Sequence, residues 1–222
     1  MTAPATLKVD IWSDIACPWC FIGKRKFETA VRAFSDDERG VEVEFHSYEL
    51  SPDTPVDFDG TEIDFLVKHK LMAAAQVEQM LGQVSAIASS VGLAYDFDAL
   101  QHTNTVKAHE LTHFAKSRGH QAAMVERLMH AYFEQGLHVG RIPDLADLAE
   151  DVGLDRADAV RALESGEFAQ AVKDDQAQAR AYGISGVPFF VIDGTFGVSG
   201  AQNPEMFEAA LNQAWDERAQ SR

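Results

Sequence analysis

Cys17 and Cys20 are the only two thiols in a chain of 222 residues, and only Pro18 and Trp19 lie between them. At that spacing two thiols can close and open one disulfide, and so trade electrons with other thiols and disulfides. Three other uses exist: a static disulfide, half of a zinc site, or two unrelated core residues. Zinc usually takes four ligands, and the chain has no second Cys-x-x-Cys. Static disulfides belong to oxidising compartments. The opening "MTAPATLKVDIWSD" has no basic start followed by an apolar run, so no secretory leader is read and a cytoplasmic location is expected. There, a close pair of cysteines points to redox chemistry.

The elements around the pair say how it is held. Residues 7–12, "LKVDIW", alternate apolar and polar and predict a strand. Cys20, Phe27, Val31 and Phe34 recur at helical spacing, predicting a helix over 18–34. Residues 41–48, "VEVEFHSY", predict a second strand, closed by "SPDTP". The cysteines thus fall at a strand-to-helix turn. Pro18 suits the first helical position, which makes Cys17 the N-cap, beside the free N–H groups of Trp19 and Cys20. The helix dipole favours a thiolate at that place. Cys17 is therefore expected to be the exposed, attacking thiol, and Cys20, one turn in, the less exposed resolving thiol. Asp14 and Lys24 flank the pair and could shift thiol pKa values in opposite directions; both are read as solvated surface charges.

From about 61 to 182 the signals are helical only. Gly92, Gly119, Gly136, Gly153, Gly166 and Gly183 stand where helices would end, giving roughly six short helices. Pro143 opens one of them, with Leu145, Leu148, Ala149 and Val152 on one face. Asp155 can cap the next, with Asp158 three residues on. Strands return at 187–193, "VPFFVID", and 195–200, "TFGVSG", joined through the hairpin pair Asp193-Gly194. Pro188 opens a buried strand, where proline is normally excluded, and invites a special explanation such as a cis bond. A last helix begins at Asn203-Pro204, with Met206, Phe207, Ala210, Leu211 and Ala214 as its apolar face. The outer parts, 1–56 and 184–222, complement each other as one discontinuous α/β domain, with 57–183 as an all-helical insertion.

A net charge of −16 argues against nucleic acid and against an anionic membrane surface. No apolar run reaches the ~18 residues of a membrane span. Residues 109–113, "HELTH", match the zinc-protease pattern, with His130 or Glu134 as a third ligand to nominate. The match is read as chance. Asn104, Thr105 and His109 are expected to face the groove between insertion and sheet, or to pack. His113 is expected in packing or at the surface. Leu66, Leu71, Met72, Met80, Met124 and Met129 are read mostly as core, with a substrate groove as the alternative.

Three segments carry a resemblance over nearly the whole chain: "SDIACPWCFIGKRKFE", "NTVKAHELTHFA" and "ISGVPFFVIDGTFGVSGAQ". Together they resemble the DsbA-type thioredoxin-like oxidoreductases, in particular the cytoplasmic FrnE-like branch. The resemblance implies a thioredoxin-like fold with a large helical insertion. It also implies exchange of disulfides with protein or small-molecule thiols. By motif, Cys17 is the nucleophile, Cys20 the resolving thiol and Pro188 the cis-proline facing them. Val187 offers backbone groups to an extended substrate. Pro18, Trp19, Asn104 and His109 complete the candidate substrate-binding set. No metal and no cofactor beyond the Cys17–Cys20 disulfide is implied, with glutathione a possible co-substrate. Trp19 stands where strongly oxidising periplasmic members commonly have histidine, so a less oxidising centre is expected. The kappa-class glutathione transferases and hydroxychromene-carboxylate isomerases share the fold and the insertion. They bind glutathione and carry serine or a single residue at the position of Cys17. They supply the alternative function, which retention of both cysteines disfavours.

Overall fold

A computed structural model describes residues 5–37 and 39–220. The reading of the first residues as lacking a leader, and the two ends of the assigned outer domain, fall partly outside that range. The chain begins with β1 (Ala5–Ser13), α1 (Pro18–Phe34) and β2 (Arg39–Ser47). Helices follow: α2 (Glu62–Lys70), α3 (Ala74–Ser90), α4 (Val106–Ser117), α5 (Gln121–Glu134), α6 (Ile142–Asp151), α7 (Arg156–Ser165) and α8 (Ala169–Ala181). It closes with β3 (Phe189–Ile192), β4 (Phe196–Ser199) and α9 (Pro204–Gln220). The sheet order is β2-β1-β3-β4, with β1 and β2 parallel and the other pairs antiparallel. This is the expected thioredoxin-like β-α-β and β-β-α arrangement, with the helices inserted between its halves.

Side-chain alternation decides what each sheet face meets. Leu7, Val9 and Ile11 of β1 join Phe190 and Ile192 of β3 beneath α1 and α9. There Phe27, Phe190 and Phe207 pack ring against ring at 4.6–5.4 Å. The alternate residues Trp12 and Val191 face the other way, onto Ala179 of α8 and Ile184. Trp12 also donates its ring N–H to the Asp175 carbonyl at 3.0 Å and stacks on His46.

The six glycines read as helix ends all have positive φ and follow α3 to α8. The seventh inserted helix, α2, escapes that reading because it ends at Leu71, a non-glycine residue in the left-handed region (φ 53°). Asp155 caps α7 by accepting the Asp158 N–H. Asp193 and Gly194 both take positive φ, the hairpin geometry their pair predicts. On α9, Phe207, Leu211 and Ala214 are buried, but Met206 is 57% exposed, so it leaves the predicted apolar face. Met124 and Met129 are core, whereas Leu71 lies out in solvent. Among the described residues, no helix is long and apolar enough to cross a membrane.

Candidate active site

The turn between β1 and α1 places both cysteines. Pro18 starts the helix and Cys17 is its N-cap, with extended backbone (φ −92°, ψ 111°). The cap differs from expectation in one respect. The Cys17 side chain makes no hydrogen bond to the first turn; its backbone carbonyl takes the Cys20 N–H at 3.0 Å. The Cys17 thiol points instead across the turn and donates to the Val187 carbonyl at 3.6 Å. Cys17 is therefore not the exposed residue predicted: it is 3% exposed, and Cys20 is 2% exposed. Both are free thiols, 3.4 Å apart. The Val187–Pro188 bond is cis, and Gly23 of α1 lets the helix come close to it. A Cβ at position 23 would lie 3.0 Å from Pro188 Cγ.

Burial pushes the Cys20 thiol well above its ordinary pKa, and the hydrogen bond and charge of the neighbouring Cys17 sulfur add to the rise. The Ser13 hydroxyl and the Asp14 N–H work against it. Burial and the neighbouring sulfur thus both favour the protonated form of Cys20.

Asp14 and Lys24 are not the solvated charges expected. Asp14 is 1% exposed, because β1 carries it under the start of α4. Its Oδ2 accepts the Leu50 N–H at 2.7 Å. Its Oδ1 accepts from Thr105 Oγ1 at 2.8 Å, the Ala16 N–H at 3.3 Å and His109 Nε2 at 3.3 Å. Burial alone would raise its pKa; the hydrogen bond and charge of His109, with Leu50 and Thr105, outweigh burial and hold it below the usual range. Lys24 is buried between Glu28 and Glu126. Its charge is committed to those carboxylates.

A cavity of about 500 Å³ opens beside Cys17. Its walls are Cys17, Pro18 and Trp19 on one side and Phe65, Leu66, Met80 and Val84 of α2 and α3 on the other. Trp19 stands partly exposed, at 40%. The structure thus brings Cys17, Pro18 and Trp19 to the cavity and Val187 onto the Cys17 thiol. Asn104 and His109 go elsewhere. Asn104 donates to the Pro52 carbonyl and accepts the Val106 N–H, so both ends of its amide are used at the start of α4. His109 is held by Asp14. His113, its partner in "HELTH", bonds Asp175 Oδ2 at 2.9 Å and Ser47 Oγ at 3.1 Å. The two rings hold separate carboxylates and share no ligand position, and His130 pairs with Glu134 away from both. Tyr95 was not singled out by the sequence. It donates to the Pro18 carbonyl at 2.7 Å and so ties the insertion to the cysteine turn.

A sheet of this order with two cysteines at the first βα turn and a cis-proline against them defines a thioredoxin-like protein. The profile of the DSBA-like thioredoxin domain matches residues 8–212, and the chain belongs to that family. It is 32% identical over 213 residues to the uncharacterized protein YwbO of Bacillus subtilis (strain 168), covering 93% of this chain and 96% of that one. The crystal structure of the probable DsbA oxidoreductase SCO1869 from Streptomyces coelicolor superposes with a TM-score of 0.88 at 39% identity. That match covers 95% of this chain and 91% of the other. A 2-hydroxychromene-2-carboxylate isomerase shares the fold, with a TM-score of 0.73 at 16% identity, over 97% and 99% of the two chains.

Proposed function

We propose that this chain is a cytoplasmic thiol–disulfide oxidoreductase of the FrnE-like branch, working through Cys17 and Cys20 on protein or small-molecule disulfides. The observation that carries the reading is the pair of free thiols 3.4 Å apart, one on a cavity and the other behind it. Likeness at 39% identity to a probable DsbA oxidoreductase supports it. The Cys17 thiolate attacks a substrate disulfide; one substrate sulfur leaves as a thiolate and a mixed disulfide forms. Cys20 then loses its proton and attacks the Cys17 sulfur. The Cys17–Cys20 bond forms, the second substrate sulfur leaves, and two electrons have passed to the substrate. The reverse sequence oxidises a dithiol. The Val187 carbonyl beside Cys17 can accept a hydrogen bond from an extended substrate backbone.

The test is reduction of insulin by dithiothreitol with the protein as catalyst. Acceleration that is lost in Cys17→Ser and Cys20→Ser is expected; no acceleration by the native protein overturns the reading. A second reading, a glutathione-dependent transferase or isomerase, draws on the cavity, whose volume suits a small molecule. It requires that Cys20→Ser keep full activity.

A further inference from the structure

β1 fixes more than the turn. Its odd-numbered residues Leu7, Val9 and Ile11 lie in the core beneath α1, whereas Trp12 lies in the cluster on the opposite face. Ser13 continues the odd series and is the last residue of the strand. Its backbone is pinned: it pairs with Ser47 of β2, and its carbonyl accepts the Tyr48 N–H at 3.1 Å. Parity therefore sends its side chain toward the first turn of α1, where Cys20 sits. Among the described residues the buried Ser13 hydroxyl makes no hydrogen bond of ordinary geometry, although it lies near enough to the Cys20 sulfur to act on its charge. Buried hydroxyls are ordinarily satisfied, so an orphan at this place calls for a partner that exists only part of the time. The group it meets is the Cys20 sulfur, whose thiolate it favours.

We infer that Ser13 is a positioning residue for the resolving step, its hydroxyl donating a hydrogen bond to the Cys20 thiolate as that thiolate forms and attacks Cys17. The inference rests on the oxidoreductase reading and adds a group to it. In the dithiol the protonated form of Cys20 is favoured, and its thiol sulfur is only a weak acceptor for Ser13. In the mixed disulfide the Cys17 sulfur is bonded to substrate and carries neither proton nor charge. The Cys20 proton leaves to solvent, and the Ser13 hydroxyl and the Asp14 N–H receive the charge. Attack forms the Cys20–Cys17 bond and breaks the bond from Cys17 to substrate. The departing thiolate takes up a proton.

A hydrogen bond to a charged group corresponds to about a 10- to 150-fold change in the thiolate fraction. A more basic thiolate is a better nucleophile, which recovers about half of that on a logarithmic scale. Ser13→Ala should therefore slow resolution about three- to tenfold near neutral pH. The full-length reduced protein is mixed with dithiodipyridine in stopped flow. The first thiopyridone released reports attack by Cys17, and the second reports resolution by Cys20. Cys20→Ser should release only the first. In Ser13→Ala the first release should keep its rate while the second slows, and Ser13→Thr, which keeps the hydroxyl, should restore the second. A general packing defect would slow both releases and would not be rescued by threonine. Should Ser13→Ala not fold, Ser13→Gly removes the same hydroxyl. Unchanged second release in a folded hydroxyl-free variant, or equal slowing of both releases, overturns the role of Ser13. Absence of a second release from the native protein overturns the oxidoreductase reading itself.

Discussion

Replacing Asp14 with asparagine keeps the side chain's shape and removes its charge. The two carboxylate oxygens accept four hydrogen bonds, from Leu50, Thr105, Ala16 and His109. A carboxamide has one oxygen. With that oxygen on the Leu50 N–H, its NH₂ faces Thr105 Oγ1, which can turn to accept, and His109 Nε2, which accepts only in the neutral ring. The Ala16 N–H then has no acceptor. Hydrogen bonds to charged groups contribute about 1.5–3 kcal/mol, neutral ones about 0.5–1.5, and an orphaned buried donor costs about 1–3. Lost charge assistance and one orphan together give a destabilisation of about 2–4 kcal/mol. With a urea slope of about 2 kcal/mol/M, the unfolding midpoint should fall by about 1–2 M. The pH dependence has a definite sign. The Asp14 carboxyl is held below its unfolded pKa, so its stabilisation is complete above that value and drains as pH falls through the folded one. The gap between native protein and variant should hold near neutral pH and narrow below about pH 4. Urea unfolding followed by circular dichroism from neutral pH downward measures both quantities. A loss under about 0.5 kcal/mol, the scale of an ordinary surface change, or a gap that widens in acid, would refute the buried-acceptor account.

Asp175→Asn removes the carboxylate that joins His46, His113 and the Ser47 N–H, and should cost about 3 kcal/mol as a broken buried pair. Burial works against both charges; hydrogen bonding and charge outweigh it, from His113, His46 and Ser47 on Asp175, and from Asp175 and Asp10 on His46, leaving Asp175 lowered and His46 raised. The Asp175 share is lost as pH falls below about 4 and the His46 share as pH rises above about 6.5, so the penalty should peak near pH 5 in unfolding curves across that range. Phe190→Ala empties the space between Phe27 and Phe207 and should cost about 3–5 kcal/mol, read by calorimetry. Gly23→Val drives a branched side chain into Pro188, displacing the loop against Cys17; exchange should slow about tenfold or more, since a misplacement of about 1 Å can cost about a hundredfold. A variant that exchanges at the native rate would show that this close approach is not needed.

Much of the scaffold was legible because local rules and tertiary structure agree. Helix α1 spans the predicted 18–34, since a proline at its start and an apolar stripe mark both its limit and its buried face. Six helix ends were marked by glycine; α2 was not, because Leu71 takes a conformation that no local signal announces for leucine. The side chains around the cysteines were harder. Asp14 and Lys24 are charged residues beside a reactive turn, and charge alone suggests solvent. What buries them is the long-range return of α4 over Asp14 and of Glu126 onto Lys24, separated by about a hundred residues in sequence. The same distance hides Tyr95, whose hydroxyl reaches Pro18 from the insertion. The exposure expected of Cys17 failed for a related reason: the Val187 carbonyl covering its thiol comes from the far end of the chain. Ser13 did carry a signal in its strand parity, but the signal acquires meaning only once α1 is seen to cover that face.

The most direct test of the central claim is the redox equilibrium of Cys17 and Cys20 in glutathione buffers at neutral pH, read by alkylation and mass shift. One reversible two-electron transition between the free dithiol and an intramolecular Cys17–Cys20 disulfide is expected. Failure to form that disulfide, or a stable glutathione adduct on Cys17 that Cys20 does not resolve, would contradict it.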